Sequence, residues 1–120
     1  MDKILGSIKQ LLGIPENVTA FDTEIIIAVN SALMTLNQLG IGPDSGFVIT
    51  GVNDTWAQLL GTATNLEAAK TFVYLKTKLV FDPPITAHLV EAINRQINEL
   101  EWRLVAQKEH VEESEEPIDE

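Results

Sequence analysis

Two consecutive prolines divide the second half of the chain into two segments. Pro83 and Pro84 follow Asp82. Each proline lacks a backbone N–H, and a residue before proline is pushed out of the α region. A helix that reaches this point must therefore end, and a new one can start directly after it, because proline suits the first turn of a helix. The sequence thus predicts that the break at Asp82, Pro83 and Pro84 sets the angle of the last helix.

Apolar spacing on both sides of this break predicts two helices, over residues 66–81 and from about residue 84 or 85 to 107. Asn65 is placed to cap the first of them. The apolar stripe of the second consists of Leu89, Ile93, Ile97, Leu100 and Leu104. At about 23 residues, that helix would be roughly 35 Å long, which is long for so small a body.

Three further helices are predicted in the first half of the chain, over residues 1–12, from about 23 to 39, and over 56–60. Asp22 or Thr23 is expected to cap the second helix, and Asp54 or Thr55 the third. Residues 47–50 have strand propensity, but one lone strand cannot make a sheet, so we expect an extended loop there.

These segments predict an all-α bundle of four or five helices, with a long C-terminal helix and an acidic tail. The second, fourth and fifth helices are expected to form the core. The predicted core residues are Ile25, Val29, Leu33, Leu36, Phe72, Val73, Leu79, Leu89, Ile93 and Leu100. Ile27 and Met34 widen the apolar stripe of the second helix, so this helix is either central or touches neighbours on more than one side.

Negative charge is concentrated at the C-terminus. Residues 108–120 hold seven carboxylates and one lysine, whereas residues 1–107 hold seven basic and eleven acidic side chains. We therefore divide the chain into a helical domain, residues 1–107, and an acidic tail, residues 108–120. The tail has too little apolar surface to offset its ordering entropy alone. It is either a solvated, flexible end or a segment that becomes ordered only against a partner.

Composition disfavours several classes of function. The net charge of −10 argues against direct binding of nucleic-acid phosphates, and the absence of cysteine excludes disulfides and thiolate metal sites. His88 and His110 have no partners at metal-ligand spacing, and no catalytic constellation is recognisable. No apolar run approaches the roughly 20 residues that span a bilayer, and Met1-Asp2-Lys3 does not open a signal peptide. We expect no catalytic, cofactor or metal site.

Two segments are candidate partner-binding surfaces. The first lies late in the last helix and comprises Leu100, Glu101, Trp102, Arg103, Leu104 and Val105. Trp102 stands off the apolar stripe, so it is either a core edge or an interface anchor. The second is a loop that comprises Gly46, Phe47, Val48, Ile49, Thr50, Gly51, Val52 and Asn53. It is either a mobile, projecting loop or one whose Phe47 and Ile49 are tucked back on the core.

Four segments together resemble tailed-bacteriophage head–tail connector (adaptor) proteins. They are residues 4–14, 28–40, 74–84 with the Phe-Asp-Pro-Pro break, and 99–104. Their order and spacing carry the resemblance, which covers most of residues 1–107 and excludes the acidic tail.

This resemblance implies a non-enzymatic virion component without cofactors. Such proteins form a homo-oligomeric ring below the portal of a filled head, in the neck of the virion, and are in the host cytoplasm before assembly. The implied partners are further copies of the chain, the portal protein and the next connector or tail-completion protein. DNA passes only as non-specific cargo through the channel that the ring extends. The loop 46–53 would then face the lumen or a partner, and residues 100–105 the neighbouring subunit or the portal.

Two other functions are compatible with a small helical bundle. One is a bacterial adaptor or regulatory domain that binds a partner through its long C-terminal helix by coiled-coil-like packing. The other, a helix-turn-helix DNA binder, is disfavoured by the net charge and by the lack of a basic recognition helix. Mass in solution, alone and with a portal protein, discriminates the connector from the adaptor.

Overall fold

The computed structural model describes residues 3–61 and 66–115, and side chains up to residue 106. In this part of the chain there are five helices: α1 (Ile4–Leu12), α2 (Asp22–Gln38), α3 (Trp56–Leu60), α4 (Leu66–Phe81) and α5 (Ala87–Glu115). The predicted all-α bundle is confirmed. Residues 47–50 form no strand. The predicted helix start at Met1 and the predicted cap at Asn65 lie outside the described residues.

Helix α4 is the central element of the bundle, since it packs against α1, α2 and α5. Its buried residues, Ala69, Phe72, Val73, Leu75 and Thr77, point in several directions around the helix axis. The ring of Phe21, just before α2, contacts the ring of Phe81 edge-on at 5.7 Å between centroids. The start of α2 therefore lies beside the end of α4. Because α4 is the helix that packs against three others, α2 is not the central helix.

Most of the predicted core is confirmed. Ile25, Val29, Leu33, Leu36, Phe72 and Val73 are buried, and Leu79, Ile93 and Leu100 are partly buried against them. Leu89 is exposed, so its place in the predicted core is wrong. The stripe of α5 enters the core only further along, at Ile97 and Leu104, because the first turns of the helix are not covered by the bundle.

Helix α1 and the α2–α3 connection contribute more to the core than the sequence predicted. The additional fully or nearly fully buried side chains include Ile4, Leu5, Ile8, Ile41, Ile49, Trp56 and Leu59. The indole N–H of Trp56 donates a hydrogen bond of 3.1 Å to the hydroxyl of Ser7, which joins α3 to α1. The core is thus shared by all five helices rather than by three.

The predicted N-cap of α3 is confirmed, whereas the predicted N-cap of α2 is wrong. Thr55 caps α3 in a reciprocal capping box with Gln58, with hydrogen bonds of 3.2 and 2.9 Å. Helix α2 begins at Asp22, and neither predicted residue is its cap, since the N-cap is Phe21, without a side-chain cap bond. The carboxylate of Asp22 instead lies 2.8 Å from the ammonium of Lys9, which is nearly fully buried.

Helix α5 begins at Ala87, slightly later than predicted, and continues to Glu115, eight residues beyond the predicted end at residue 107. Its 29 residues make a rod of about 44 Å. The helix crosses the boundary that the sequence predicted between the helical domain and the acidic tail. The division of the chain at residues 107 and 108 remains a prediction.

Candidate partner-binding surfaces

The predicted surface at residues 100–105 is divided between core and solvent. Leu104 is fully buried in the core cluster. Leu100, Glu101 and Val105 are half-buried. The inclusion of Leu104 in the predicted partner-binding surface is therefore wrong, because α5 turns this side chain toward the helices on which it packs.

Trp102 lies on the opposite side of α5 from Leu104 and is 71% exposed. Of the two alternatives for this residue, a core edge is excluded. Beside it, the guanidinium of Arg103 forms an exposed ion pair of 3.0 Å with the carboxylate of Glu99, one turn earlier. The structure thus presents a large aromatic ring to solvent from a regular helix, and its role as an interface anchor remains a prediction.

The loop 46–53 is attached to α2 through Asn30. The amide side chain of Asn30 accepts a hydrogen bond of 2.7 Å from the backbone N–H of Ile49 and donates one of 3.0 Å to its carbonyl. Ile49 is buried, and Phe47 is half-buried against the core. Phe47 and Ile49 therefore pack against the core, as in the alternative in which the loop is tucked back.

The rest of the loop turns outward around Asp54. One carboxylate oxygen of Asp54 accepts hydrogen bonds from the backbone N–H groups of Thr50 (2.8 Å) and Gly51 (3.2 Å). Val48 and Val52 are exposed, as are Thr50 and Asn53, whereas Gly46 and Gly51 are half-buried. Contact of this loop with a lumen or a partner remains a prediction, and the two valines are the side chains that are available for it.

The predicted break between α4 and α5 is present, and contacts between Lys78 and Asp82 stabilise the end of α4. The backbone N–H of Asp82 donates to the carbonyl of Lys78 at 2.9 Å, and the ammonium of Lys78 lies 3.5 Å from the carboxylate of Asp82. Pro83 is exposed and Pro84 is half-buried. On either side of the break, Val80 and Ile85 are 72% and 100% exposed.

Sequence reasoning did not assign one further surface, the outer face of α2. Ile27 and Met34 are 65% and 63% exposed, on the side opposite to the buried residues of the helix. The signal in the sequence was the widened apolar stripe, together with a run without any charged residue from position 25 to position 43. Of the two alternatives predicted for α2, a central position is excluded. The alternative that α2 contacts neighbours on more than one side is compatible with this geometry.

The described residues hold no group of three or more His, Asp or Glu side chains that could bind a metal ion. No helix in the same part of the chain is both long and apolar enough to cross a lipid bilayer. The described surface also presents exposed large apolar side chains, among them Trp102, Ile85 and Val80.

The sequence profile of one family, described as "Phage connector protein", matches residues 4–111. The match begins at the first residue of α1 and ends inside α5, so it covers α1 to α4 and most of α5. No curated protein and no solved structure is significantly similar to the chain. The connector family is a structural family rather than an enzyme family. Because the match includes nearly all of the sequence, the chain belongs to the phage connector protein family.

Proposed function

We propose that the protein is a head–tail connector (adaptor) subunit that assembles as a ring below the portal, in the neck of the virion. The ring extends the DNA channel and docks the next neck or tail protein. Family membership over residues 4–111 supports the connector role and favours it over a bacterial regulatory adaptor. The observation that carries the docking proposal is the exposed ring of Trp102 on α5.

Trp102 is the anchor that we assign to the portal. Tryptophan is enriched among the few residues that dominate binding energy at protein interfaces, where truncation typically costs about 2 kcal/mol or more. The helix that carries Trp102 is fixed to the bundle by the buried side chains of Ile97 and Leu104, one on each side of it in sequence. The backbone at Trp102 is therefore held in place before binding, so that little backbone conformational entropy is lost when a partner covers this side chain.

The charge of the protein supports a role around a DNA channel. A net charge of −10 gives an acidic channel wall, which repels the phosphates and lets the duplex slide without binding. The carboxylates of residues 108–120 meet a basic surface on the partner in this proposal. Such complementarity raises the association rate and makes it sensitive to salt.

The test is binding of the purified full-length protein to its portal, measured by sedimentation velocity and by titration. We expect Trp102→Ala to weaken binding by roughly 30-fold, which corresponds to about 2 kcal/mol. The matched control is Leu11→Ala, which truncates a partly exposed apolar side chain on α1 and should leave the affinity unchanged. Unchanged affinity of Trp102→Ala would show that Trp102 is no anchor, and a wild-type protein that never binds portal would overturn the connector proposal.

A further inference from the structure

The outer face of α2 carries no charged residue beyond Glu24, which lies in the first turn of the helix. Ile27 and Met34 are seven residues apart and therefore lie above one another on the helix. Ser31 and Gln38, also exposed, lie on the same face. Val48 is exposed as well, and it belongs to the loop segment that the hydrogen bonds between Asn30 and Ile49 attach to α2. We name Ile27, Met34 and Val48 the α2 seat.

The lack of charge at this seat is unusual for a solvated helix. Charged residues make up 22% of the chain, yet none occurs from position 25 to position 43. Polar and charged residues normally occupy the outer face of an amphipathic helix. The buried face of α2 already accounts for the residues that the bundle needs, so the two large apolar side chains on its outer face, Ile27 and Met34, indicate a surface that is covered in an assembly.

A second exposed apolar surface lies at the turn between α4 and α5. Val80, Ile85 and Leu89 are all exposed there, although each is a large aliphatic side chain. Pro83 and Pro84 restrict the backbone between them, and the contacts of Asp82 with Lys78 fix the end of α4. We name Val80, Ile85 and Leu89 the proline corner. Because its backbone is restricted, little entropy is lost when a partner covers it.

The two surfaces do not cover each other within one subunit, since the side chains of both remain exposed. A contact between the seat of one copy and the corner of another is heterologous, because it joins different patches. Heterologous contacts generate closed rings when the rotation between subunits closes, whereas a contact between identical patches stops at a dimer. Two different apolar patches on one chain are what a ring of identical subunits requires.

The charge of the chain limits the surfaces through which two copies can meet. Two copies that each carry a net charge of −10 repel one another, and like charges placed opposite each other at an interface cost several kcal/mol. Contact between copies is therefore most favourable where both surfaces lack unpaired charge. The three side chains of the seat are uncharged, and Glu24, one turn before Ile27, is the charged residue of α2 nearest to them in sequence. At the corner, the carboxylate of Asp82 is paired with Lys78.

We propose that the proline corner of one subunit packs into the α2 seat of the neighbouring copy, with Ile85 against Ile27 and Met34. This contact rests on the proposed ring, and it assigns the faces through which the copies meet. It leaves Trp102 free for the portal. The corner then supplies the side chains that are buried at the interface, and the break in the chain positions them.

The absence of cysteine from the chain permits a direct test by cross-linking. The double variant Ile27→Cys/Ile85→Cys is assembled on portal under reducing conditions and then oxidised. We expect a ladder of cross-linked dimers, trimers and larger species on a denaturing gel. The matched control, Leu11→Cys/Ile85→Cys, places one thiol on an exposed aliphatic position of α1 and should give no ladder. Neither single variant should cross-link.

Each other outcome overturns the contact. Efficient dimers from the Ile27→Cys variant alone would show that two α2 faces meet symmetrically. An equal ladder from the control pair would show that cross-linking is unspecific. If assembled rings of the double variant give no ladder, the copies meet elsewhere, while the connector function stands. If the wild-type protein forms no assembly with portal at all, both this contact and the proposed function fail.

A second measurement separates loss of contact from loss of folding. Met34→Glu and Ile85→Glu each place a charge on an exposed position, so we expect unchanged melting temperatures by circular dichroism. We expect self-association on portal to weaken by ~10-fold or more. The control Leu11→Glu should change neither quantity. Assembly of Met34→Glu and Ile85→Glu at wild-type protein concentration would overturn the proposal.

Discussion

At the scale of single residues, the buried Lys9 is a feature that the sequence did not predict. Its ammonium contacts the carboxylate of Asp22 at 2.8 Å and donates to the carbonyls of Glu16 (3.2 Å) and Val18 (2.7 Å). Spacing places Lys9 on α1, but its burial depends on how the connection to α2 folds back over the helix. A pattern within one helix carries no information about that path.

We predict that Lys9→Met destabilises the protein by roughly 3 kcal/mol, because it leaves a carboxylate and two carbonyls without the cation that they share. Urea unfolding followed by circular dichroism gives the free energy of unfolding. Lys3→Met is the matched control, since the side chain of Lys3 is exposed, and it should change stability by less than about 0.5 kcal/mol. Equal effects of the two substitutions would show that the contacts of Lys9 contribute nothing.

Neighbouring residues of α2 test the assignment of its two faces. Leu33 is fully buried and Met34 is largely exposed. Leu33→Ala should cost roughly 2–5 kcal/mol, because it removes buried methyl groups and leaves a cavity. Met34→Ala in the free subunit should cost less than about 1 kcal/mol. A loss below 1 kcal/mol for Leu33→Ala, measured by the same unfolding experiment, would show that the inner face has been misplaced.

At the scale of helices, apolar spacing predicted the number of elements and most of their limits. Helix α4 has the predicted bounds, and α2 differs by one residue at each end. The larger deviation is α5, which continues to Glu115 although the residues beyond 107 have little apolar pattern. Glutamate and lysine have good helix propensity, and a helix that is already formed elongates without a new nucleation step.

The break between α4 and α5 is the element that we expect to govern assembly. Replacing Pro83 and Pro84 with alanine permits a longer or differently angled helix, because both residues then have a backbone N–H and a freer backbone. We predict that ring or neck assembly falls more than the melting temperature of the monomer. Calorimetry of the free subunit and electron microscopy of assembled necks measure the two effects. Normal assembly by the double variant would show that the angle of α5 is unimportant.

At the scale of the whole molecule, the resemblance of four segments identified the family, and the fold class followed from periodicity. The residues that meet partners were only partly predictable. Trp102 is exposed as an interface anchor requires, but Leu104 in the same segment is buried. Sequence spacing places residues on a face of a helix, whereas the length of helix that the bundle covers depends on where its neighbours end.

The burial of Leu104 determines where a truncation should be made. A chain that ends after Ala106 retains the whole described core and loses the acidic segment. We expect it to fold with unchanged stability and to bind portal more slowly, with weaker salt dependence. A chain that ends after Arg103 also loses Leu104, so its free energy of unfolding should be lower by about 2–5 kcal/mol. Stopped-flow binding at several salt concentrations provides the test. An unchanged association rate for the chain that ends after Ala106 would show that the tail does not contribute to portal binding and serves only solubility.

The uninterrupted course of α5 has a mechanical consequence. No glycine or proline occurs between Ala87 and Glu115, and sharp kinks in helices arise almost always at such residues or at local disruptions of the hydrogen-bond ladder. A force applied at the far end of this helix is therefore transmitted along it as a torque on α4, through Ile97 and Leu104, instead of being absorbed by a hinge. In a neck, α5 would act as a lever by which movement of the bound neighbour tilts the whole subunit.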